Sequence, residues 1–151
     1  MSSSRMLGSI DQEWRTLLAV AISFVPGEQT TDGAVGHWSV KEPLLHVAAS
    51  YKEVVENIRV YLDTREETDY GDEQAIDRLT EEEVEEHSNL SLDGVCAYLQ
   101  QSHQYMMAFI VDLQEELLIS SMYVRETVEH TTFAHYREHR EDLERFKESR
   151  K

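Results

Sequence analysis

Apolar residues recur every three to four positions along most of the chain, which is the spacing that places them on one face of an α-helix. Only two prolines and six glycines interrupt this pattern in 151 residues. The pattern therefore predicts an all-α protein with four long helices around one core. The length suits one domain and is short for two, so we assign residues 1–151 to a single four-helix bundle domain.

The first two predicted helices are separated by a segment rich in helix breakers. We expect a frayed start at residues 1–8, a cap at Ser9 and a stop at Pro26-Gly27, followed by a loop. The second helix opens with Ser39-Val40-Lys41-Glu42, which has the form of a capping box, and Trp38 can act as its hydrophobic staple. The predicted core positions of these two helices are Ile10, Trp14, Leu17, Ala21, Phe24, Leu44, Ala48, Tyr51, Val55, Ile58 and Leu62.

The third and fourth helices follow an acidic connector at residues 64–90. Within this connector, a second capping box at Thr80 predicts a short extra helix that ends shortly after Glu86. The third helix starts near Ser91, and the fourth spans Met122 to Ser149 after a connection at residues 117–120. Their predicted core positions are Leu92, Cys96, Leu99, His103, Met106, Ile110, Leu113, Val124, Val128 and Phe146.

The net charge of −16 narrows the range of partners, because phosphate backbones and anionic lipids repel such a chain. We therefore expect binding neither to nucleic acid nor to a membrane. Between Asp63 and Glu86, twelve acidic and two basic residues give a net charge of −10, which is typical of a solvated connector. The lone Cys96 cannot form an intrachain disulfide, and the apolar run at residues 17–25 is too short to span a bilayer, so we expect a cytoplasmic protein.

The strongest chemical signal is His135-Tyr136-Arg137-Glu138-His139 in the fourth helix. Histidines four residues apart lie one turn above each other, which allows both imidazoles to bind one metal ion. On the same face, Thr131 and Asp142 stand where a bundle would carry leucine or valine, and burying such groups is costly unless they are paired or bind a metal. The alternative interpretation is a pair of solvated histidines on a charged helix.

A catalytic metal site requires about three protein ligands and one open position, and His46 in the second helix is the candidate third ligand. Taken alone, His46 is better interpreted as a buried or half-buried histidine that is hydrogen-bonded within its own helix. Cys96 is interpreted as a small core residue, and His103 as a core histidine with a hydrogen-bond partner. A fourth ligand or a proton-transfer group is the alternative for His103.

The stretch from Trp38 to His46 resembles the second-helix motif of the DinB-like (YfiT-like) four-helix bundle superfamily, and the HYREH stretch resembles its last-helix motif. The resemblance implies a bundle, often dimeric, in which a histidine of helix 2 and an HxxxH pair hold a divalent metal. Carried over, the ligands are His46, His135 and His139. Members of the family hold zinc or nickel, and some use a low-molecular-weight thiol. The Trp-to-His stretch is also similar to the ClbS/DfsB-like branch, which protects against a reactive metabolite.

Three hypotheses follow from these observations. The first is a Zn- or Ni-dependent transferase, isomerase or hydrolase acting on a small molecule, with Asp142, Glu42 or Thr131 orienting the imidazoles. The second is a metal-free protein that hydrolyses or sequesters a small molecule in a pocket between helices. The third is a non-catalytic interaction protein that uses the acidic residues 81–86 as its contact surface.

Overall fold

The computed structural model describes residues 3–24, 39–68, 73–113 and 115–149. Within these ranges the chain forms seven helices and no strand. None of these helices is long and apolar enough to cross a membrane. The helices are α1 (Ser3–Ile22), α2 (Lys41–Thr64), α3 (Glu73–His87), α4 (Leu92–Asp112), α5 (Glu115–Ser120), α6 (Met122–Thr131) and α7 (Phe133–Ser149).

Four helical rods surround the core, and α6 and α7 together form the fourth rod. Helix α1 packs along α7, while α2 packs against α4 and α6. Helix α3, the predicted extra helix, lies against α2. The predicted all-α bundle is therefore confirmed, and α2 contacts four other described helices, α3, α4, α6 and α7.

The predicted apolar stripes account for most of the core. Burying each large aliphatic side chain contributes about 1.5–3 kcal/mol relative to leaving it exposed. The prediction was wrong for Leu62, which is 36% exposed near the end of α2, where the stripe leaves the core. Predicted positions that are fully buried include Ile10, Leu17, Leu44, Ile58, Leu99, Ile110, Val124 and Val128.

Two helix starts differ from the prediction. Helix α1 begins at Ser3, not Ser9, because the buried Met6 continues the apolar stripe one turn earlier. Thr80 lies inside α3 rather than at its start, and its side chain is buried against α2 instead of capping a helix. Pro26-Gly27, the predicted loop after it and Trp38 lie outside the described residues.

The fourth rod is not continuous, and residues 117–120 are helical rather than a plain connection. Thr132 separates α6 from α7 with φ −100° and ψ −105°. Its hydroxyl donates a 2.7 Å hydrogen bond to the Val128 carbonyl, a local bond that competes with regular helix geometry. The chain then restarts as α7 at Phe133, two residues before His135, so the break sets the direction of the stretch that carries the HxxxH pair.

The predicted cap at the start of α4 is confirmed, and the predicted capping box at the start of α2 is confirmed in part. Ser91 accepts a 3.2 Å hydrogen bond from the Gly94 amide at the start of α4. At the start of α2, the Glu42 carboxylate accepts a 3.1 Å hydrogen bond from the Ser39 amide, and also one from the Ser39 hydroxyl. Val40, however, is the residue that immediately precedes the helix. These bonds fix the beginning of α2 close to His46.

Candidate metal centre

The three predicted histidines meet between α2 and α7. One ring nitrogen from each of His46, His135 and His139 lies within 4.8 Å of the others. The ring centroids are 4.9 Å apart for His46 and His135, 5.2 Å for His46 and His139, and 4.5 Å for His135 and His139. His46 therefore forms one compact imidazole cluster with two histidines that lie 89 and 93 positions further along the chain.

The ring nitrogens of this cluster face one another. Nε2 of His135 and Nε2 of His139 are 2.9 Å apart, so only one proton can lie between them. Nδ1 of His46 is 2.9 Å from the Thr80 hydroxyl of α3, which leaves Nε2 of His46 for the cluster. Three Nε2 lone pairs can thus point toward one cation.

Burial keeps all three imidazoles in the neutral form that binds metals. Burial, and after it the neighbouring His46, lowers the pKa of His139 to about 3. Burial also lowers the pKa of His135 well below its usual value, as do the neighbouring His139 and His46. The pKa of His46 is lowered by burial, although Asp77 acts in the opposite direction.

The donor set fits a divalent transition metal. Two ligands bound tetrahedrally at Zn–N distances of about 2.0–2.1 Å lie roughly 3.3 Å apart, close to the 2.9 Å between the two Nε2 atoms. Nδ1 of His135 and of His139 is buried and has no hydrogen-bond partner at acceptable geometry. The Thr131 carbonyl nevertheless lies near enough to oppose the pKa shift of His135. Thr131, one of the three residues predicted to orient the imidazoles, therefore lies beside the cluster.

The other two predicted orienting groups are engaged elsewhere. Glu42 is bonded to Ser39, and Asp142 is paired with Arg145. Thr80, which holds His46, was missed because its sequence context has the form of a capping box. The sequence signal that could have identified this residue was a small polar side chain directly before a run of glutamates.

His103 lies in a separate buried cluster. Its Nδ1 is 3.2 Å from the Tyr51 hydroxyl and 3.0 Å from the Tyr136 hydroxyl, and these two hydroxyls are 2.5 Å apart. The Trp14 ring stacks on the imidazole at a centroid distance of 4.2 Å. Burial lowers the pKa of His103 to about 4, so the ring is neutral, and the tautomer sets whether Nδ1 accepts from or donates to these hydroxyls. The predicted core histidine with a hydrogen-bond partner is confirmed.

Cys96 and the acidic connector also have structural roles. Burial raises the pKa of the Cys96 thiol to about 11, which suits a core residue. Glu83 of α3 is 1% exposed, forms an ion pair with Lys52, and accepts a 2.5 Å hydrogen bond from the Tyr98 hydroxyl. Glu83, Glu86 and His87 could also hold an ion, but both Glu83 oxygens already have partners. This part of the connector ties α3 to α2 and α4.

The fold is shared with solved structures of low sequence identity. The structure titled Sibling Lethal Factor Precursor – DfsB superposes with a TM-score of 0.82 at 12% identity, covering 100% of this chain and 98% of that chain. An uncharacterised Escherichia coli UTI89 protein gives 0.75 at 16% identity, with coverages of 99% and 94%. A Streptococcus pneumoniae protein gives 0.77 at 13%, with coverages of 98% and 91%. No family model and no curated protein sequence matches the chain.

Proposed function

We propose that this protein is a divalent-metal-dependent enzyme that holds Zn²⁺ or Ni²⁺ through His46, His135 and His139. The observation that supports this proposal is the convergence of three imidazoles from two helices, with His139 buried and His46 and His135 half-buried, and with the pKa of each lowered by burial. Solvated surface histidines would need no such arrangement, and an uncompensated buried set is costly. The substrate is a small molecule, with a low-molecular-weight thiol as cosubstrate.

The residues of this chain have separate roles in that proposal. The Thr80 hydroxyl orients His46, because it fixes Nδ1 and directs Nε2 inward. Burial of His135 and His139 keeps protons from competing for their lone pairs. A bound divalent ion would supply Lewis acidity, which lowers the pKa of a water or thiol that reaches its open position.

Metal content is the direct test. Protein purified without a histidine tag should contain about one equivalent of zinc or nickel by elemental analysis. His139→Ala should lose that metal while keeping its helical circular dichroism signal. His130→Ala is the matched control, because His130 is an exposed histidine on the neighbouring α6. Equal metal content in wild type and His139→Ala would refute the triad.

The second candidate function is metal-free hydrolysis or sequestration of a reactive small molecule. It is favoured by the fold shared with DfsB over the whole chain. In that case, the imidazoles act as acid–base or hydrogen-bonding groups. Substrate turnover or capture that survives complete chelation would support this second candidate and reject the first.

A further inference from the structure

A pocket lies between α2 and α4. Its volume is about 270 Å³, close to the lower end of the range for small-molecule sites. Three tyrosines dominate its wall, and polar groups lie beside them. The lining residues that matter for binding are Tyr51, Tyr98, Tyr105, Lys52, Gln101 and Ser102.

This pocket is distinct from the imidazole cluster. Ala48 and Lys52 line it, and they lie two and six residues after His46 on α2. At 3.6 residues per turn, these positions are about 200° and 240° around the helix from His46. The pocket therefore opens on the opposite side of α2, toward α4.

The Tyr51 and Tyr98 rings are held in place by hydrogen bonds to groups that lie outside the pocket. The Tyr51 hydroxyl bonds to His103 and Tyr136 in the core. The Tyr98 hydroxyl bonds to Glu83, and its ring stacks on another aromatic residue, the imidazole of His87. With their hydroxyls engaged elsewhere, these two rings line the pocket, and Tyr51, which is 3% exposed, contributes to its floor.

Tyr105 forms the outer edge of the pocket and is 60% exposed. Its hydroxyl accepts a 3.0 Å hydrogen bond from Arg59, which also lies over the Phe109 ring. The third ring is thus positioned before any ligand arrives. Prepositioned aromatic rings favour binding because less side-chain freedom is lost when the ligand enters.

The field of the whole chain disfavours anions at the pocket, whose outer edge carries the Arg59 guanidinium. Lys52 is a lining cation, but it forms an ion pair with the buried Glu83, so this part of the wall has no net charge. The chain as a whole carries −16, and this field lowers the local concentration of anionic molecules. Gln101 and Ser102 leave room for one or two hydrogen bonds.

We propose that this pocket binds a neutral, flat aromatic molecule against the rings of Tyr51, Tyr98 and Tyr105. Offset or edge-to-face ring contacts provide the attraction, in addition to the apolar area that is buried. This site is independent of the metal centre, so binding should persist in His139→Ala.

Two fluorescent probes with a common ring system test the proposal. Phenylnaphthylamine is neutral and flat, and anilinonaphthalene sulfonate adds one negative charge to the same skeleton. Titration into the wild-type protein should give saturable, one-to-one fluorescence enhancement with the neutral probe and weaker binding of the sulfonate. No saturable binding of the neutral probe, or tighter binding of the sulfonate, would overturn the proposal.

Variants locate the bound probe. Tyr105→Ala removes an exposed ring and should weaken binding about five- to tenfold, whereas Tyr105→Phe keeps the ring and should bind like wild type. Gln101→Trp should obstruct the pocket from an exposed position on α4. Val111→Ala is the control, because Val111 is equally exposed on the same helix but does not line the pocket. Unchanged affinity in both Tyr105→Ala and Gln101→Trp would place the probe elsewhere and refute the site.

Discussion

The buried His103 should make the stability of this protein fall as the pH is lowered, and His103→Asn should reduce that dependence. Asparagine cannot titrate in this range, and its side-chain oxygen can replace Nδ1 as a hydrogen-bond acceptor for Tyr51 or Tyr136. The folded-state pKa of His103 is about 4, against 6.5 for an ordinary histidine. The unfolded chain therefore binds a proton that the folded chain does not, at any pH between these two values.

The sign and size of the effect follow from this difference. Stability is fully present above pH 6.5 and is lost as the pH falls toward 4, because protonation favours the unfolded chain. Each pKa unit corresponds to about 1.4 kcal/mol, so the full loss is about 3 kcal/mol. At pH 5.5, one unit below the unfolded value, His103 alone should have lowered the free energy of unfolding by about 1.4 kcal/mol.

Urea unfolding followed by circular dichroism measures this loss in wild type and variant between pH 7.5 and 5.5, with a chelator present throughout. Carboxylates and the other histidines titrate in both proteins, so their contributions largely cancel in the difference. His103→Asn also loses the stack on Trp14, which lowers its stability at every pH but not its pH dependence. Parallel stability curves for the two proteins would show that His103 is not held neutral by burial.

Three further predictions concern the metal site and the Lys52–Glu83 pair. Thr80→Val should weaken zinc affinity about 10–100-fold, because His46 loses the partner that orients it. Competition with a chromophoric chelator measures this affinity, and the exposed Thr64→Val is the control that should leave it unchanged. Zinc at a hundredfold excess over its dissociation constant should stabilise wild type by about 2.7 kcal/mol in thermal unfolding, and an unchanged melting temperature would count against binding. Glu83→Gln should lower the free energy of unfolding by about 1–3 kcal/mol, because an uncharged amide replaces a buried carboxylate that faces the Lys52 ammonium. Urea unfolding measures this loss, and the exposed Glu85→Gln is the control that should leave stability unchanged.

The helices and the HxxxH pair could be predicted from sequence because both depend on local spacing. Residues four apart share a helix face whatever the rest of the chain does, so His135 and His139 had to lie together once the helix was predicted. The polar face around them indicated burial, and the structure places His139 in the interior with 6% exposure. The position of His46 beside them depends on packing between helices, which spacing does not specify, and the reasons to expect it were the need for a third ligand and the resemblance to a known family.

The partners of the buried histidines could not be predicted in the same way. Thr80 meets His46 across 34 positions, and Tyr136 meets His103 across 33. Such contacts depend on which faces of separate helices pack together, which a 3.6-residue period does not specify. The break at Thr132 was missed for a related reason, since threonine is tolerated in helices and bends them only when its hydroxyl bonds back to the preceding turn.

The two buried histidine clusters share the same two helices, and this arrangement bears on how a metal would bind. Helix α2 carries His46 and Tyr51, while α7 carries His139 and Tyr136. The 2.5 Å bond between the two tyrosine hydroxyls fixes the distance between α2 and α7 inside the core, close to the point where the imidazoles meet. Because the helices are already held at that distance, little backbone ordering remains to oppose metal binding. The hydrogen-bonded core thus prepositions the histidines on which the proposed function depends.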